Sequence, residues 1–80
     1  MRHPGMWRKI GLNIMFIRKQ KGLSQMDLAE RCRGQADDHH ISRNYLQRIE
    51  TGVSSCTLDT LIDIADALEV PLVRLLDIDE

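Results

Sequence analysis

The chain has 80 residues, 42% of them hydrophobic and 29% charged, with a formal net charge of −1. That is one domain of ordinary globular balance, too small to spare the core from which a large catalytic cleft is built. The near-neutral charge excludes a non-specific polyanion binder, and so few aromatic residues (Trp7, Phe16 and Tyr45) exclude a stacking platform for single strands. A protein that reads DNA with one face remains open.

Residues 1–6 read as a flexible N-terminal arm ahead of a domain over 7–80, and MRHPGMWRK lacks the apolar core of a secretion signal. From Trp7 the pattern is helical, because Ile10, Ile14 and Ile17 recur on one face. Gly22 stops this helix after Arg18, Lys19 and Lys21, cations that suit the negative end of its dipole. The longest apolar stretch, Ile10 to Ile17, is interrupted by Gly11 and Asn13 and is too short to cross a bilayer.

Ser24 caps a second helix, with Asp27 three residues on in a capping-box arrangement and Leu23 and Leu28 as a hydrophobic staple. Its inner face is Leu28, Ala29 and Cys32, and it ends near Arg33-Gly34. Residues 34–40, GQADDHH, have no periodicity and form a loop. Ser42 then caps a third helix with Leu46 and Ile49 inside and Arg43, Asn44, Gln47 and Arg48 outside, and Gly52 ends it. Thr57 caps a fourth helix whose buried stripe is Leu58, Leu61, Ile64, Ala65 and Leu68. Pro71 breaks the chain before a last short helix from Leu72 to Leu76. No segment alternates with period two, so the expectation is all-α, a compact five-helix domain.

Chemistry of the catalytic kind has no local motif: there is no glycine-rich phosphate loop and no poised nucleophile. Cys32, His39, His40 and Cys56 are the one set with metal-ligand chemistry, but Cys32 lies on an apolar helix face, where a thiol fills core. The two cysteines form no CxxC pair and no disulfide framework, which fits the reducing cytoplasm. The expectation is no enzyme, no cofactor and no metal.

The third helix is more informative. Arginine grips guanine through O6 and N7, and asparagine and glutamine grip adenine through N6 and N7. Arg43 and Asn44 in its first turn, with Gln47 and Arg48 one turn on, suit a helix whose N-terminal half lies in a major groove. A solvated helix face carries the same residue types. Charge position favours the groove: residues 1–48 hold ten basic and four acidic residues, net +6, whereas 49–80 net −7.

The stretches IGLNIMFIRKQKGLSQMDLAE from Ile10, ISRNYLQRIETG from Ile41 and TLDTLIDIADALEVPLVRLL from Thr57 together resemble the Cro/C1-type helix-turn-helix family. This family includes phage repressors and restriction-modification controller proteins, and the resemblance spans roughly residues 8–77. It implies a λ-repressor-like fold and DNA-binding regulation. It implies that Arg43, Asn44, Gln47 and Arg48 read bases, and that Gln25, Tyr45 and Thr51 meet phosphates. It implies an ion pair between Arg18 and Glu50 and a close helix approach at Ala29.

The chain departs from the family pattern twice. Cys32 and Ile41 lie nine positions apart instead of two, so the connection between the second and third helices is longer, and it carries Asp37, Asp38, His39 and His40. Leu12, Met15 and Phe16 stand where the family has polar or basic residues, which makes a candidate interface unless the arm or the loop covers it. The expected function is a cytoplasmic, sequence-specific transcriptional regulator of repressor or controller type. Its recognition helix covers about 42–51, its partner is double-stranded DNA, and it acts as a homodimer without a membrane. A protein partner through the first helix or loop 34–40 is the further expectation. The alternative is a helical interaction module or antitoxin-like subunit on the same fold.

Overall fold

The computed structural model describes residues 2–33 and 41–77. Its helices are α1 (Pro4–Gln20), α2 (Gln25–Arg33), α3 (Arg43–Glu50), α4 (Leu58–Leu68) and α5 (Leu72–Leu75), and no strand occurs among the described residues. The nine residues between α2 and α3 make the lengthened connection; positions 34–40 of it lie outside the described residues.

Local chemistry explains most of the helix ends. Gly22 has φ +72, and the amides of Leu23 and Gly22 bond the carbonyls of Arg18 (3.1 Å) and Lys19 (3.0 Å). That is a Schellman closure of α1, and glycine takes the left-handed position at no steric cost. At the start of α2 the capping box is reciprocal: the Asp27 amide donates to Ser24 Oγ and the Ser24 amide to Asp27 Oδ2, both at 3.0 Å. The backbone bond to Ser24 holds the Asp27 carboxyl below its ordinary value. At α4, Thr57 Oγ1 accepts from the Thr60 amide at 3.2 Å.

One boundary and one buried position differ from the sequence reading, and one helix closure has no glycine to announce it. α1 begins at Pro4 instead of Trp7, because proline at the first helical position has its φ already set and no amide left over. His3 precedes it in the left-handed region, φ 59. α4 closes with Glu69 at φ 60, its amide bonding Asp66 O and that of Val70 bonding Ala65 O, each at 3.0 Å. This is again a Schellman closure, built without the glycine that marks one in a sequence. Leu58 was expected in the buried stripe of α4 and is instead 58% exposed. It shares Ala65's bearing on the helix but sits in the first turn, two turns before Ala65, where that bearing is not covered.

The core joins Ile10, Ile14 and Ile17 of α1 to Leu28 and Cys32 of α2, Leu46 and Ile49 of α3, Leu61, Ile64 and Leu68 of α4, and Leu75 of α5. Burial pushes the thiols of Cys32 and Cys56 up to about 11, so both are inert at neutral pH. Of the set weighed for a metal, His39 and His40 lie outside the described residues, among which no metal-holding group forms. Asn13 ties the chain's two ends together: its amide nitrogen donates to the carbonyls of Leu75 and Asp77, each at 3.0 Å.

Candidate nucleic-acid interface

α3 is fixed at both ends by its own sequence. Ser42 Oγ accepts the Tyr45 amide at 3.0 Å, satisfying one of the free donors of the first turn. At the other end Gly52, φ +76, makes a second glycine Schellman closure through Val53 N to Arg48 O (3.0 Å) and Gly52 N to Ile49 O (3.1 Å). Leu46, Ile49 and Glu50 are buried, which leaves Arg43, Asn44, Gln47 and Arg48 exposed on the opposite side. These four are spaced as neighbours across successive turns, so they form one polar strip.

A buried ionic network holds this helix to α1 and α2. Arg18 Nε donates to Glu50 Oε2 at 2.7 Å and its Nη2 to Glu50 Oε1 at 3.0 Å. The remaining Arg18 nitrogen donates to the Leu23 carbonyl at 2.7 Å, in the turn before α2. Gln25, the first residue of α2, adds its amide nitrogen to Glu50 Oε1 at 3.1 Å. The two charged side chains are 8% and 1% exposed. A planar guanidinium fork matches two carboxylate oxygens and still has donors to spare, which lysine could not do. One carboxylate therefore fixes α3 against the start of α2, the relation a helix-turn-helix must keep.

Glycines bring α1 into the same assembly. A methyl group on Gly11 would overlap the carbonyls of Ile49 and Glu50, and one on Gly52 would come within 2.7 Å of Arg8 Cα. Only glycine at these two places lets α1 lie this close across the C-terminal end of α3.

The residues assigned to phosphates are differently placed. Gln25 is half-buried and occupied in part with Glu50. Tyr45 packs against the core, and its hydroxyl donates to the Ser55 carbonyl at 3.5 Å. Burial raises the Tyr45 hydroxyl above its ordinary pKa, so it stays a donor. Thr51 is exposed, but its hydroxyl lies 3.0 Å from Gln47 O and 3.3 Å from Arg48 O, so its proton is directed into the helix end.

On α1, Leu12 is 48% and Phe16 62% exposed, while Met15 is half-buried. Trp7 packs on the core instead of covering them. The sequence reading missed a second set of exposed apolar side chains: Leu58 and Ile62 on α4, with Val73 and Leu76 at the α5 end. Their spacings of four and three were visible as a secondary stripe, hidden by the stronger core stripe beside it. No helix among the described residues is long and apolar enough to cross a membrane.

The helix-turn-helix family model matches residues 14–75. No curated protein matches the sequence. The crystal structure of the restriction-modification controller protein C.AhdI from Aeromonas hydrophila is similar at 28% identity, with a TM-score of 0.80 over 94% of this chain and 99% of that one. Match, fold and the fixed pair α2–α3 agree, and the chain belongs to the Cro/C1-type helix-turn-helix family.

Proposed function

We propose that this protein is a DNA-binding transcriptional regulator of repressor or controller type that lays α3 in the major groove and reads bases with Arg43, Asn44, Gln47 and Arg48. The observation that carries the reading is that these four side chains stand exposed on a helix fixed at both ends and braced through Glu50. Base reading needs donors held in register with base edges, and a helix free to rock would lose that register. Gln25, Tyr45 and Thr51 border the strip and position it on the phosphates. The similarity to a restriction-modification controller protein favours the controller type.

The protein works in the cytoplasm as a homodimer on a two-fold related operator, with half-sites about 34 Å apart. Selection of bound sequences from a random double-stranded pool, followed by a salt series on the winner, tests the whole reading. The expected result is a palindromic site and affinity that falls steeply with salt. Absence of binding at low salt would overturn it in favour of a helical interaction module, the reading favoured by the bare Leu12 and Phe16.

A further inference from the structure

We infer that the DNA-contacting surface does not end with α3 but continues onto α1, where Arg8 binds a backbone phosphate beside the bases that α3 reads. The inference rests on the reading of α3 as the recognition helix.

Arg8, Gly11, Met15 and Arg18 follow one another at spacings of three, four and three, and so lie along a single flank of α1. That flank faces the C-terminal end of α3. Arg18 grips Glu50, Gly11 meets the carbonyls of Ile49 and Glu50, and Arg8 stands against Gly52. The Arg8 Cα and Cβ would lie 2.7 and 3.0 Å from a methyl carbon on Gly52. Arg8 is thus held beside Gly52, two residues past the end of α3, and Thr51, which borders the exposed strip, is Gly52's neighbour in the chain.

Charge at this place is unopposed. Arg8 is exposed and its side chain makes no hydrogen bond or ion pair among the described residues. No acidic residue precedes Asp27 in the chain, so α1 carries none. The acid of α3, Glu50, is buried and matched by Arg18. A helix that reads bases with its N-terminal half leaves the groove at its C-terminal end, past a phosphate strand. An unpaired guanidinium there binds an oxygen pair of that strand, and carries no base preference.

The test is the full-length protein on its selected operator, with Arg8→Ala and Arg8→Lys each titrated at several salt concentrations. Arg8→Ala should weaken all sequences alike and reduce the slope of log affinity against log salt by about 0.9, while Arg8→Lys keeps the slope. An unchanged slope for Arg8→Ala, in a background where Arg48→Ala still relaxes base discrimination, overturns the inference and leaves the α3 reading standing. A lowered melting temperature with unchanged slope assigns Arg8 to packing and overturns it equally. If the parent protein binds no DNA, the α3 reading itself fails first.

Discussion

Arg18 and Glu50 place opposite charges where neither has water to fall back on. Their mutual attraction is largely offset by what it costs to bury them, so the pair's net stabilisation is small. Breaking it is a different matter. In Glu50→Gln the Arg18 guanidinium loses its counter-charge and keeps its burial, which should cost about 3–5 kcal/mol, read from the shift of a urea or thermal transition. The double change to apolar residues of similar size should cost far less than the sum of the singles, as a double-mutant cycle would show. The Arg48 side chain lives by another rule, being exposed and without a hydrogen bond or ion pair among the described residues. Arg48→Ala should leave the transition unmoved but cost roughly 1–3 kcal/mol on the operator and relax one base position. The pairing of residues 18 and 50, 32 apart in sequence, carries no local signal. It was legible only because the flanking motifs resemble a family that has it.

Elements were most legible where one residue type decides one local conformation. Ser24, Ser42 and Thr57 each sit at an N-cap, and Gly22 and Gly52 each take positive φ after a helix. These need no knowledge of the fold, since cap and closure are made within six residues. Asn13 was illegible for the opposite reason: it looked like an interruption of an apolar run, yet its partners are 62 and 64 residues away. Glu69 shows the intermediate case, a closure with the hydrogen bonds of a glycine motif and a side chain that resists the backbone. A left-handed conformation costs a side-chain-bearing residue about 1–2 kcal/mol, and glycine recovers most of it at some loss of chain entropy. Glu69→Gly should therefore stabilise the fold by roughly 0.5–1 kcal/mol in denaturant titration. The Arg31–Glu69 contact it removes is 3.8 Å long and largely exposed, and surface pairs of that kind contribute little. A loss of stability in this variant would show that the turn depends on the glutamate side chain.

At the scale of the whole molecule the net charge of −1 is a cancellation between the net-basic residues 1–48, which include most of α3, and the net-acidic residues 49–80. The two halves make two surfaces with opposite responses to salt. On the proposed reading α3 and α1 meet phosphates, so DNA binding should weaken as salt rises. α4 and α5 expose Leu58, Ile62, Val73 and Leu76, and the same segment carries Asp59, Asp63, Asp66 and Glu69 against Arg74. Two copies meeting there bury apolar area but bring like charges together, within the ~10 Å over which charges act at 0.1 M salt. Self-association through α4 and α5 should therefore strengthen with salt while DNA binding weakens, so operator occupancy passes through a maximum at intermediate ionic strength. Sedimentation equilibrium across a salt series checks the first limb and fluorescence anisotropy on labelled operator the second. Ile62→Glu with Val73→Glu should give a monomer at all salts. If the subunit contact is confined to the Leu58, Ile62, Val73 and Leu76 side chains, Leu12→Glu with Phe16→Glu, both on α1, should leave self-association intact. A dimer lost in the α1 variant and kept in the other would place the subunit contact on α1. Self-association would strengthen with salt in that case too, because α1 carries Arg8, Lys9 and Lys19 and no acid, so it is the pair of variants and not the salt limb that locates the contact.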